Sequence, residues 1–351
     1  MKILFLTHHW SSNTHHSGHS GYQELIKYFV DDHECVIVTS GAKNEVRREG
    51  NVTVHYVKPV IKKEIFFSKR FSISRYAAGI EKDFDVVHAL YSDCGYFQTH
   101  KNFYSTLHIS PFVVNKVGFI AWLFLRLKNL IIEKRVFSKS RKVFLVSNNL
   151  KSSLGKRGEK AVFIPHGINT EFWDPSTLHE PTDLELPNEY VLCVGNNGVD
   201  RECLEKVVRN NKDIIFVLVG IRNLGFAEIE NVVSLKGLTE DVLKDVYSRA
   251  RLFIRPMTFA TANNSILEAM AMNKPVLAAT PDGTYDYFKN GGLLRIVKTE
   301  DFLNEFGAML SAVRNSPTGT GTNNTIRDFT IAAYDWNGIS RRIRNFYECK
   351  E

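Results

Sequence analysis

The sequence has 351 residues, 44% hydrophobic and 12% aromatic, which supplies one large or two ordinary cores and excludes a disordered chain. Its formal charge of +7 suits an anionic ligand, an anionic membrane face or nucleic acid without choosing among them. Five cysteines (Cys35, Cys94, Cys193, Cys203 and Cys349) show no CxxC pairing, which argues against a disulfide scaffold and predicts reduced thiols in a cytosolic protein.

The chain opens on KILFLT, a predicted strand whose apolar run is too short for a signal peptide. No stretch reaches the ~20 apolar residues that span a bilayer, so a soluble or peripheral protein is expected. SGHSGYQEL follows, with Gly18 and Gly21 leading into a predicted helix; small residues there let backbone approach an anionic ligand, although neither a GxGxxG nor a Walker loop is present. His8, His9, His15, His16 and His19 crowd the same region without a companion cysteine in sequence, and no metal site is expected. Strands ECVIVTS and VTVHYV come next, then the basic and aromatic run KPVIKKEIFFSKRFSISRY. Asp83 and Asp85 precede the strand VVHAL and read as a solvated turn. His88, in that strand, and His108, in STLHIS, are predicted at neighbouring strand ends facing one ligand crevice. FIAWLFLRLKNLIIEKR, the strand KVFLVS and the segment VFIPHGINTEFWDP complete the first half.

A proline-bearing, acidic stretch from Trp173 to Tyr190 reads as a linker. Beyond it, YVLCVG, IIFVLVG, NVVSLKG, RLFIRP and PVLAAT predict strands. RECLEKVVRNN, EDVLKDVYSRA and SILEAMAMN carry apolar residues at helical spacing. NSPTGTGTNNT reads as a polar loop. Alternating strands and helices, with strands apolar on both faces, predict α/β architecture: two Rossmann-like domains with parallel sheets facing across a central cleft. The expected boundaries are 1–172, a linker at 173–189, 190–333, and a final helix at 334–351 returning to the first domain.

IPHGINTEFWDP, LTEDVLKDVYSRARLFIRPM and ILEAMAMNKPVLAA, with YDWNGISRRIRNFY at the end, resemble the hinge, signature and closing helix of the family-4 glycosyltransferases, retaining enzymes of the GT-B fold. The resemblance covers nearly the whole chain. It implies transfer of a sugar from a UDP- or GDP-type donor to a glycan or lipid-linked acceptor, without cofactor or metal. In that family two glutamates frame a glycine-rich turn at a helix start. With seven residues standing between the two, the second is here Glu268, the implied ribose clamp, while the first position is Ala260 and the turn is Asn263, Asn264 and Ser265. After the first strand of the second domain, Gly195 is retained and the family's arginine position holds Asn196; Arg201 and Lys206 are the implied phosphate cations. His108 matches the family's histidine near the donor sugar, and the implied catalytic set is His108, Arg201 and Glu268, with His88 and His108 on the acceptor side.

The resemblance further implies cell-surface polysaccharide or lipopolysaccharide synthesis. The basic runs suggest peripheral attachment to an anionic inner membrane face, with cytoplasmic localisation. No nucleic-acid motif is present and no such partner is expected. Two alternatives stay open from sequence: a sugar-nucleotide epimerase on the same fold, and a non-catalytic binding partner suggested by Ala260 and Asn196.

Overall fold

A computed structural model describes residues 1–10, 21–60, 68–108, 134–177, 184–221, 229–259, 261–315 and 325–348. Gly18, His15, His16, His19, Lys62, Lys63, Ala260 and Cys349 lie outside the described residues, as do most of FIAWLFLRLKNLIIEKR and NSPTGTGTNNT. The chain divides into two compact units. Residues 1–13, 22–166 and 336–351 form unit 1, and residues 14–21 with 167–335 form unit 2.

Unit 1 is built on strands β1 (Lys2–Leu6), β2 (Glu34–Ser40), β3 (Glu45–Glu49), β4 (Val52–Val57), β5 (Val86–Ala89), β6 (Phe103–Leu107), β7 (Lys142–Leu145) and β8 (Ala161–Phe163). They lie in the order β3-β4-β2-β1-β5-β6-β7-β8, all parallel except β3, which pairs antiparallel with β4 at the edge. β1, β5 and β6 are buried on both faces almost throughout, the pattern of a covered parallel sheet, although β5 carries His88 and β6 carries Ser105 and Thr106. Helices α1 (Ser68–Ile80) and α2 (Asn149–Ser153) belong to this unit. GYQELIKYFV, read as a helix from sequence, forms a 3-10 helix over Tyr22–Tyr28.

Unit 2 carries strands β9 (Val191–Val194), β10 (Phe216–Val219), β11 (Val232–Leu235), β12 (Leu252–Pro256), β13 (Val276–Thr280) and β14 (Leu294–Lys298), ordered β11-β10-β9-β12-β13-β14 and all parallel. Helices α3 (Arg201–Asn210), α4 (Glu240–Arg249), α5 (Asn264–Ala271), α6 (Phe302–Arg314) and α7 (Thr325–Tyr334) accompany them. Side chains alternate along each strand, so two cores form. Leu192, Val217, Phe253 and Val276 face α5, while Cys193, Phe216, Ile254 and Leu277 face Leu204, Val207, Phe302 and Phe306 of α3 and α6. α5 is buried from Ser265 to Ala271, which is why SILEAMA is small and apolar almost all round.

The unit boundary differs from the expected linker. It falls between His166 and Gly167, ahead of the proline-bearing stretch, and Trp173 is fully buried within unit 2 against Tyr247. Arg327 of α7 fastens this segment, donating to the carbonyls of Thr170 and Trp173 and pairing with Asp174 at 2.6 Å. The final helix α8 (Trp336–Tyr347) groups with unit 1, where Tyr104 donates to the Phe346 carbonyl at 2.7 Å.

Candidate active site

The sheet of unit 2 reverses its winding between β9 and β12, and ligands of open parallel sheets lie outside the carboxyl ends of strands at such a point. The loop after β9 and helix α5 after β12 both open there. α5 starts abruptly because Asn263 caps it. Its backbone is extended, and its side-chain oxygen accepts from the Ile266 amide at 3.3 Å and the Ser265 hydroxyl at 2.7 Å. A helix start leaves its first amides without intrahelical acceptors and gathers about half a positive charge. The cap takes the Ile266 amide, which leaves those of Asn264 and Ser265 to meet an anion such as a diphosphate.

One turn further along, Glu268 is 6% exposed, and the Tyr247 hydroxyl of α4 donates to its Oε2 at 2.7 Å. Burial, then the charge of Glu268, hold the Tyr247 phenol well above its ordinary pKa, so it remains a donor at neutral pH. A buried carboxylate oriented by a fixed donor is prepared to accept from a pair of ligand hydroxyls.

Several site expectations need correction. Asn263, placed in the donor turn by the resemblance, spends its oxygen on the helix cap, and its amide nitrogen lies 3.6 Å from the Met257 sulfur. Lys206 is not drawn to the loop: it pairs with Glu202 at 2.8 Å, one turn apart on the exposed face of α3. Arg201 does reach the loop, donating to Asn196 Oδ1 at 2.7 Å. The start of α3 already carries the carboxylate of Asp200, which accepts from the Cys203 amide at 3.0 Å. The start of α5 is thus capped by a neutral amide where that of α3 is capped by a carboxylate, and it keeps more of its positive charge for a ligand. Gly195 has φ +87, a conformation that favours glycine.

In unit 1 the sheet reverses between β1 and β5, and a ring cluster stands at the carboxyl ends of β1, β5 and β6. His108 stacks on Tyr91 with centroids 4.6 Å apart and meets Tyr22 edge-on at 4.6 Å; His8 packs on Tyr91 at 4.3 Å. His108 Nε2 donates to the Leu90 carbonyl at 2.8 Å, which fixes the tautomer and turns Nδ1 into the acceptor. Burial pulls its pKa down to about 4, so the ring is neutral at physiological pH. His88 is a different case. It is fully buried, bonded to Tyr347 through Nδ1 and to Thr106 through Nε2 at 2.8 Å, so it is a core histidine and the acceptor-side assignment is withdrawn. Gly21 is half-buried ahead of the 3-10 helix.

The companion thiol that sequence lacked near His8 is supplied by the fold. His8, Asp93 and Cys94 bring ligating atoms within 4.8 Å of one another. The Arg70 guanidinium already occupies that corner, with Nε 2.8 Å from Asp93 and a terminal nitrogen 3.4 Å from His8 Nε2, and it repels a cation there. In sequence His8 was weighed only as a metal ligand; its place two residues beyond a strand at the winding reversal was the signal for a place in the ring cluster. Tyr247 gave only the weaker signal of a tyrosine at a core-facing helical position.

A family model described as Glycosyltransferase Family 4 matches residues 21–172, and one described as Glycosyl transferases group 1 matches residues 198–313. No curated protein matches the chain. Among solved structures it is similar to a sucrose-phosphate synthase from Thermosynechococcus elongatus, with TM-score 0.77, 17% identity, and coverage of 99% of this chain and 98% of that one. It is also similar to Anabaena HepE in complex with UDP-glucose, with TM-score 0.70, 13% identity, and coverage of 99% and 100%. A third is WaaG, a glycosyltransferase involved in lipopolysaccharide biosynthesis, with TM-score 0.67, 13% identity, and coverage of 98% and 99%. The two models between them span most of the chain, which belongs to the family-4 type of GT-B glycosyltransferases.

Proposed function

We propose that this protein is a retaining glycosyltransferase that moves a sugar from a UDP- or GDP-type donor to a glycan or lipid-linked acceptor, in synthesis of cell-surface polysaccharide or lipopolysaccharide. One observation carries the donor assignment: the buried Glu268–Tyr247 pair stands one turn behind the capped start of α5, at the winding reversal of unit 2. The spacing suits a diphosphate on the first-turn amides and ribose hydroxyls on the carboxylate. Arg201 stands beside the loop as a further cation for the leaving group.

The chemistry needs no second carboxylate. The leaving phosphate takes the acceptor's proton on the face it departs from, while the helix start and Arg201 offset its growing charge, with no metal ion required. His108, neutral and with Nδ1 as acceptor, suits a sugar hydroxyl. UDP and UDP-glucose in the HepE structures, and the lipopolysaccharide role of WaaG, make these substrate classes the first to try. The basic run around α1 supports peripheral attachment at the cytoplasmic face of a membrane, although Arg70 is engaged with Asp93. No helix among the described residues is long and apolar enough to cross a membrane.

The test is a panel of UDP-glucose, UDP-galactose and GDP-mannose, incubated with and without glycan and lipid-linked acceptors and followed by NMR. Nucleoside diphosphate should appear only with acceptor, and the new glycosidic bond should keep the donor's anomeric configuration. Conversion of the nucleotide sugar without acceptor would indicate an epimerase instead. An inverted product would contradict retention.

A further inference from the structure

β12 reads Leu-Phe-Ile-Arg-Pro, and its one charged residue, Arg255, is 2% exposed. Alternation along the strand places it with Phe253 and Met257, on the face that packs against α5. A buried guanidinium ordinarily sits against a carboxylate. Among the described residues none pairs with Arg255. Its partners are three backbone carbonyls at the end of β9 and in the loop after it: Nη1 donates to Val194 at 2.8 Å and Gly195 at 2.5 Å, and Nη2 donates to Asn197 at 2.6 Å. Nε is buried with no partner among the described residues.

The placement follows from the sheet. β9 and β12 pair at Leu252↔Val191 and Phe253↔Leu192, and their ladder ends there. On the outer sides the ladders run on, to Val219↔Val194 and to Pro256↔Ala279. The strands thus part at the winding reversal, and the guanidinium fills the parting. A Cβ on Gly195 would stand 3.9 Å from both terminal nitrogens, so the loop backbone lies directly against the charge. In a trans peptide the carbonyl and the following N–H point opposite ways. Holding the carbonyls of Gly195 and Asn197 therefore turns the amides of Asn196 and Gly198 away from the guanidinium.

We propose that Arg255 is a positioning residue for the donor's diphosphate. From beneath the loop it supplies positive charge at a site where position 196 is an asparagine, and it sets which loop amides face the ligand. This rests on the assignment of the donor site to unit 2. An arginine here does two things that lysine cannot do together: it forks to three carbonyls and keeps its charge when buried.

UDP, GDP, uridine and guanosine would be titrated against the full chain and its variants by calorimetry and ligand-observed NMR. Arg255→Met keeps the length and removes the charge. It is expected to weaken the better-bound diphosphate about tenfold or more while leaving the nucleoside affinity unchanged. Arg255→Lys should fall between parent and Arg255→Met. Asn196→Arg added to Arg255→Met should restore part of the diphosphate affinity, which a merely structural role for Arg255 would not allow. Equal losses for nucleoside and diphosphate, or a folded Arg255→Met that binds diphosphate like the parent, would overturn the proposal. Should Arg255→Met not fold, the diphosphate-to-nucleoside ratio of Arg255→Lys decides in the same way. Failure of the parent to bind any of the four ligands would instead remove the donor assignment on which the proposal stands.

Discussion

Glu268→Gln should weaken binding of the donor's nucleoside diphosphate roughly ten- to a hundredfold, because a charged hydrogen-bond acceptor is worth about 1.5–3 kcal/mol. Glutamine retains the shape and an oxygen for the Tyr247 hydroxyl, so the buried phenol keeps its partner and the fold is preserved. Glu268→Ala would leave that hydroxyl only the Ser265 carbonyl, 3.1 Å away, and would open a cavity that lowers stability as well. The loss should belong to the ribose. The parent should prefer UDP or GDP over the 2′,3′-dideoxy analogue, and in Glu268→Gln that preference should collapse. Tyr247→Phe should move the same preference in the same direction by a smaller factor, since it takes one orienting donor from the carboxylate without removing the carboxylate. Calorimetric titration of both ligands against the three proteins measures this. An unaltered preference in a folded Glu268→Gln would return Glu268 to the role of a helix-face residue.

The second large effect is loss of stability in mild acid. Burial holds His88 down to about 3 and His108 to about 4; burial, then Arg70, hold His8 to about 3. In the unfolded chain each takes a proton near pH 6.5. Below that pH the unfolded state binds protons that the folded state refuses. Stability is therefore at full strength above about pH 7 and declines as pH falls toward 4. Each such histidine contributes a slope of up to ~1.4 kcal/mol per pH unit within the window. Urea midpoints should drop steadily from pH 7 to pH 5. His88→Gln should start lower at pH 7, because Thr106 and Tyr347 lose a fitted partner, and then decline less steeply. A midpoint that is flat between pH 7 and pH 5 would contradict neutral burial of these rings.

Much of the fold could be read from local pattern. FVLV, VLCV and VLAAT announce buried parallel strands because nothing polar could sit on either face, and their order with the helices implies the α/β class. β3 escaped notice because EVRRE is a solvated edge strand held by pairing with β4, with Glu49 accepting from Tyr56. The proline-bearing stretch misled about the boundary, since composition cannot show that Trp173 is buried against Tyr247.

The site was half legible. Asn263, Asn264, Ser265 and Glu268 follow one another in sequence, so a capped helix start can be read from residue type, while the role of Glu268 was implied only by the resemblance to the family. The rest depends on contacts between distant segments. Tyr247 reaches Glu268 across 21 residues, Arg255 reaches Gly195 across 60, and His88 finds Tyr347 across 259. The arginine inside LFIRP was the available sign for Arg255, because a charge within an apolar strand needs a reason. His88 and His108 look alike in sequence, each at the end of a strand. Only the fold separates the ring whose two nitrogens are both engaged from the one whose Nδ1 is left to accept.

Hydrogen–deuterium exchange of the full chain, with and without saturating UDP or GDP, tests the placement of the donor most directly. Ligand should slow exchange at the amides of 195–198 and 263–268, the loop after β9 and the start of α5, with smaller changes along α3. Binding that leaves both segments unchanged, or protects only the strand ends of unit 1, would contradict the assignment of the diphosphate to α5 and of the ribose to Glu268.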